Sequence, residues 1–149
     1  NTMKKNLSKY IAIATLALGT LTACEIESHD NGKIDGFWHL EHIDTLATGG
    51  TLDVSNEKLF WSVQVKLLEV SNKTTGSKFI FSFRQADGSL YLYDPLVSDR
   101  REGDPVVEDV KVLAPYGINS LEETFAVEAI DGKKMILRSE TLRLNLKKF

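Results

Sequence analysis

From residue 58 onward the apolar residues of this chain recur at every second position, run after run, and that period limits what it can fold into. Leu59, Trp61, Val63, Val65 and Leu67 alternate with Ser62, Gln64 and Lys66. Phe79, Phe81 and Phe83 alternate with Ile80, Ser82 and Arg84, and Leu90 and Leu92 with Tyr91 and Tyr93. The same spacing returns at Phe125, Val127 and Ala129, at Met135 and Leu137, and at Leu142, Leu144 and Leu146. A strand sends successive side chains to opposite faces, so each run makes one apolar and one mostly polar face, the pattern of an antiparallel sheet with one wet side. Asp131-Gly132, Asp87-Gly88-Ser89 and Lys73-Thr74-Thr75-Gly76 leave only tight links between runs, which makes sequential strands pair as a meander. The expectation is all-β, with eight strands near 36–45, 58–70, 78–86, 89–94, 106–113, 122–130, 133–139 and 141–148. Such a meander removes its edges by closing into a barrel; the alternative is an open or flattened β-sandwich.

The first 35 residues are built differently. Met3 is read as the start. Lys4, Lys5 and Lys9 precede a mostly apolar run from Ile11 to Ala23, about 13 residues, too short for a permanent span of roughly 20 and suited to the core of an export signal. The run ends Leu21-Thr22-Ala23-Cys24, which resembles the lipobox of bacterial lipoproteins. That resemblance implies removal of a signal peptide (1–23), acylation of Cys24 by fatty chains such as palmitate, and a membrane partner through that anchor. Two or three chains, at about 0.8 kcal/mol per buried CH₂, hold a protein firmly on a bilayer. Residues 24–35 read as the lipidated Cys and a polar tether, and 36–149 as the barrel domain. Glu25, rather than Asp, points to the cell envelope's outer membrane, with a periplasmic or surface-facing domain.

Charge excludes other partners. Lys4, Lys5 and Lys9 are three of the 18 basic residues; the other 15 face 21 acids, a net of −6 for the mature part. A nucleic-acid binder needs a basic face to displace counterions, so no nucleic-acid partner is expected. The same balance argues against a peripheral electrostatic hold on anionic lipid. Cys24 is the chain's one cysteine; neither an internal disulfide nor a cysteine zinc site can form.

Gly36-Phe37-Trp38 opens the first strand and resembles the Gly-x-Trp motif of lipocalins; together with the lipobox, tether and meander it looks like the small lipocalin-like lipoproteins of Gram-negative bacteria. The resemblance implies an eight-stranded barrel plugged at one end by the tryptophan, with a cation over its ring supplied by Arg143 or Arg138, and a binding role rather than a reaction.

The inward set is bulky: Trp38, Leu40, Trp61, Val63, Phe79, Phe81, Phe83, Leu90, Leu92, Phe125, Met135, Leu137, Leu142 and Leu144. It either fills the barrel or lines a cavity for one small apolar ligand. The candidate ligand-binding residues are Trp38, His42, Trp61, Phe81, Phe83 and Leu92, with His42 placed inward by its parity with Trp38 and Leu40; His39 falls on the opposite, solvated face. The three histidines are scattered, no metal or other cofactor is implied, and no nucleophile elbow, phosphate loop or His-Glu-x-x-His pattern occurs. Glu122 and Glu123 are adjacent on a strand, face opposite ways and cannot act as an acid/base pair, so no enzyme is expected. The other expectation is an accessory protein with a filled core. It would bind an envelope protein through the outer face around Tyr91 and Tyr93 or the charged loop 95–105, with Leu113–Ile118 covering one barrel end or offering an interface.

Overall fold

The computed structural model describes residues 31–149; the expected signal peptide, Cys24 and the start of the expected tether lie outside the described residues. The rest forms nine strands in one antiparallel sheet: β1 Gly36–Thr45, β2 Thr51–Asp53, β3 Leu59–Gln64, β4 Leu67–Asn72, β5 Lys78–Ala86, β6 Ser89–Val97, β7 Glu123–Ile130, β8 Lys134–Arg138 and β9 Leu142–Lys148. β1 and β3 to β9 pair in sequence, and β1 pairs with β9, so eight strands close a barrel and β2 is an extra strand beside the second half of β1.

The barrel has two ends. At the entry end lie the start of β1, the hairpin tips Val65-Lys66, Asp87-Gly88 and Asp131–Lys133, and the end of β9. Ahead of β1, a 3-10 turn at Gly32–Ile34, in the stretch expected to be tether, puts Ile34 in the core. At the loop end lie the β4–β5 and β8–β9 links and the long connection 98–122.

Eight is the expected number, reached by a different set of strands. The run 58–70 is two strands. Val65 takes a positive φ of 55° and the chain reverses at Val65-Lys66, with Gln64 opposite Leu67 and Val63 opposite Leu68. Pairing odd with even positions moves the inward set from Leu59, Trp61 and Val63 to Leu68 and Val70, leaving Val65 and Leu67 more than half exposed. The expected strand 106–113 is reduced to one bridge, Leu96 with Val106, followed by a 3-10 helix at Val110–Tyr116. Asp109 accepts the Lys111 N–H at its start, and Gly117, at φ 82°, ends it.

Of the expected inward residues, Phe83 and Leu142 are half-buried against the core, and the other twelve are buried. Their removal from water, at roughly 1.5–3 kcal/mol per large side chain, is the main force holding the barrel.

Candidate functional site

Two tryptophans from adjacent strands organise the interior. Trp38 on β1 and Trp61 on β3 are cross-strand neighbours, both wholly buried. The Trp38 indole N–H donates to the Ile34 carbonyl at 2.8 Å, and the Lys148 ammonium sits 4.6 Å above its ring. Lys148 also donates to the Asp35 carbonyl at 2.6 Å. The cation over the motif tryptophan is therefore Lys148, neither Arg143 nor Arg138. Those two are opposite one another on β8 and β9 and share the Glu128 carboxylate on the outside, at 3.2 and 2.8 Å. The glycine of Gly-x-Trp has a local reason: a Cβ at Gly36 would lie 2.6 Å from Lys148 Nζ, on a backbone with φ 130°.

Trp61 reaches across the barrel. Its ring meets Phe125 of β7, on the opposite wall, edge to face with centroids 5.6 Å apart. Its indole N–H donates to the Tyr116 carbonyl at 3.2 Å. Tyr116 packs on Phe79, and burial pushes its phenol up to about 12. Leu113, Tyr116 and Ile118 are all buried, and a Cβ at Gly117 would overlap the Leu144 side chain. Connection 98–122 thus touches β3, β5 and β9 and covers the loop end, one of the two roles expected for Leu113–Ile118. Trp38, Trp61, Phe81 and Leu92 are brought together as packed core, with Phe83 at its margin.

His42 does not join them. A bulge between Leu40 and His42 shifts the register against β9, so Ile43 turns inward in its place. The His42 side chain is outside and 44% exposed, 3.9 Å from the Asp53 carboxylate of β2. Two Asp53 bonds with Ser55, from its hydroxyl and its N–H, hold that carboxyl below its ordinary value.

The open concavity is on the outer wall. Phe37 and Phe60, directly beside Trp38 and Trp61 in sequence, face outward and stack with centroids 4.6 Å apart. Phe149 stands edge-on to both rings. His39 lies against Phe60, and its Nε2–H donates to the Glu57 carbonyl at 2.7 Å. Lys73 Nζ is 5.6 Å from the centroid of Phe37. These residues, with Ser55, Asn56 and Lys58, line a groove of about 570 Å³. His39, expected in solvent, is a wall of it. The sequence held a sign of this surface: in Phe37-Trp38 and Phe60-Trp61 aromatics stand at both parities, so both faces of β1 and β3 are apolar there.

The other expected surfaces are occupied by local contacts. The Arg84 guanidinium lies over both Tyr91 and Tyr93, whose rings stack. In the 95–105 loop, Asp99 N–H donates to the Asp104 carboxylate and Arg101 N–H to that of Asp99. Beside it, Phe79, Val97 and residues 105–109 with Val112 border a smaller groove of about 370 Å³. Among the described residues no group of three His, Cys, Asp or Glu side chains is placed to hold a metal ion, and no helix is long and apolar enough to cross a membrane.

Comparison with known proteins agrees with this architecture. The crystal structure of a lipocalin-like protein from Bacteroides uniformis superposes with a TM-score of 0.61 at 19% identity, over 79% of this chain and all of that one. That of an uncharacterized protein from Bacteroides eggerthii gives 0.59 at 19% identity, over 77% of this chain and 98% of that one. No curated protein matches. The model of a lipocalin-like domain family matches residues 19–149. The chain belongs to the lipocalin-like domain family.

Proposed function

We propose that this is a lipid-anchored envelope protein that binds a small, largely apolar ligand, without catalysis, on the outside of its barrel. The observation that carries the reading is the Phe37–Phe60–Phe149 groove. Its volume falls in the range of small-molecule sites, which are mostly apolar with a few polar groups for orientation. The barrel centre, by contrast, is spanned by Trp61 and Phe125. Lys58 and Lys73 outnumber Glu57 in the groove's lining and favour a flat aromatic body bearing an anionic group. The lipobox at Leu21–Cys24 supports the anchor.

Two measurements test this. Titration with the anionic aromatic dye anilinonaphthalene sulfonate gives saturable binding to the native protein, weakened tenfold or more in Phe60→Ser. Unchanged dye affinity in that variant contradicts the groove. Cys24→Ala releases the protein from the membrane fraction; retention with unchanged processing contradicts the anchor.

A second reading rests on Val106 and Val112, exposed by 68% and 42% beside the smaller groove. It makes that edge a contact for an envelope protein partner.

A further inference from the structure

The net charge of the mature chain conceals a polarity that the fold sets up. Lys33, Lys66, Lys133, Lys134, Lys147 and Lys148 all fall at the entry end, against Asp35, Asp87 and Asp131. The loop end carries Asp99, Glu102, Asp104, Glu108, Asp109, Glu122, Glu123 and Glu140, against Lys58, Lys73, Lys78, Arg100, Arg101 and Lys111. Lys134 and Lys147 stand directly opposite on β8 and β9, an arrangement that is unfavourable in isolation. Among the described residues, no salt bridge engages Lys66, Lys133, Lys134 or Lys147. The β3–β4 tip at the same end presents Val65 and Leu67, exposed by 58% and 53%, on either side of Lys66. Val65 is a β-branched residue in the left-handed region, a conformation that costs folding energy and is retained most often where a surface has work to do. The chain also enters the barrel here, and ten residue-to-residue steps lead from Cys24 to Ile34. Fully extended, they span at most about 35 Å.

We infer that the entry end is a lipid-facing surface: Lys66, Lys133, Lys134 and Lys147 dock on the anionic headgroups of the bilayer that holds the anchor, and Val65 and Leu67 reach its apolar boundary. The inference rests on the Cys24 anchor. Acids outnumber bases at the loop end and bases outnumber acids at the entry end, so the headgroups favour the barrel standing on its entry end. The overall acidity that argues against an electrostatic hold is concentrated on the end facing away.

The test uses the lipidated full protein in vesicles of phosphatidylethanolamine with 30 mol% phosphatidylglycerol. A nitroxide is placed at Gly132→Cys, at a tip where a side chain has open space, or at Thr75→Cys, at the opposite end. Acylation of Cys24 leaves the new cysteine as the one free thiol. Collisions with a water-soluble nickel chelate are expected to be at least threefold rarer at 132 than at 75. Lys66→Glu with Lys133→Glu removes that difference while the protein stays vesicle-bound. Equal accessibility at both positions in vesicle-bound protein overturns the docking and leaves the anchor standing. Equal protection on phosphatidylcholine alone overturns the role of charge. Protein that remains in the aqueous phase overturns the anchor, and the docking with it.

Discussion

At position 36 a methyl group would overlap the Lys148 side chain, and the backbone there has a φ of 130°. Gly36→Ala is expected to cost about 2–3 kcal/mol, combining backbone strain with displacement of the ammonium from the Trp38 ring. In a Lys148→Ala background the steric part disappears, so urea unfolding of the double-mutant cycle shows a coupling of about 1 kcal/mol or more. Additive costs would mean that Lys148 and Gly36 do not share this space. Val65 offers the opposite case. Its left-handed φ of 55° costs about 1–2 kcal/mol for a residue with a Cβ. Val65→Gly is therefore expected to stabilise the barrel by about 1 kcal/mol in the same assay, and a loss of stability would show that the Val65 side chain has contacts worth more than its strain.

Among the elements, connection 98–122 departs most from a plain meander, and its Asn119 meets a titrating group at the start of β7. Desolvation, and next to it the Glu140 charge, raise the Glu123 carboxyl above its ordinary value, although the Asn119 N–H donates to it and pulls the other way. The folded state therefore holds that proton more tightly than the unfolded chain. The contribution to stability is complete below the unfolded pKa, about 4.3, and is lost as pH rises through the folded one. Glu123→Gln keeps an acceptor for the Asn119 N–H. It should match the native protein in thermal melts below pH 4 and exceed it at pH 7. A variant less stable at pH 7 would contradict the assigned cause. The same elements show what was legible in sequence. β1 and β5 span the ranges that alternation indicated, 36–45 and 78–86. The β3–β4 turn was hidden because Val65-Lys66 has none of the Gly, Asn or Asp that mark a two-residue hairpin, and the alternation runs straight through it. His42 was misplaced because a bulge, invisible in a single sequence, inserts one residue and reverses every later face of β1. Val106–Val112 reads as a strand by composition, yet the Asp109 cap and Gly117 turn it into a helical cover. The outer groove was missed because alternation assigns one apolar face per strand, and β1 and β3 have two.

As a whole molecule, the protein keeps the closed lipocalin-like wall and fills its interior with side chains. Trp61 and Phe125 meet at the axis, Tyr116 and its neighbours cover the loop end, and Trp38 with Lys148 closes the entry end. Binding on this account belongs to the outer wall, and the charge polarity sets which end faces the bilayer. The most direct test is chemical-shift mapping of the isotope-labelled protein titrated with anilinonaphthalene sulfonate. Saturable shifts are expected to centre on Phe37, His39, Phe60 and Phe149, with Trp61, Phe81 and Phe125 unmoved. Shifts centred on Trp61, Phe81 and Phe125 would contradict binding on the outer wall and return the ligand to the barrel interior.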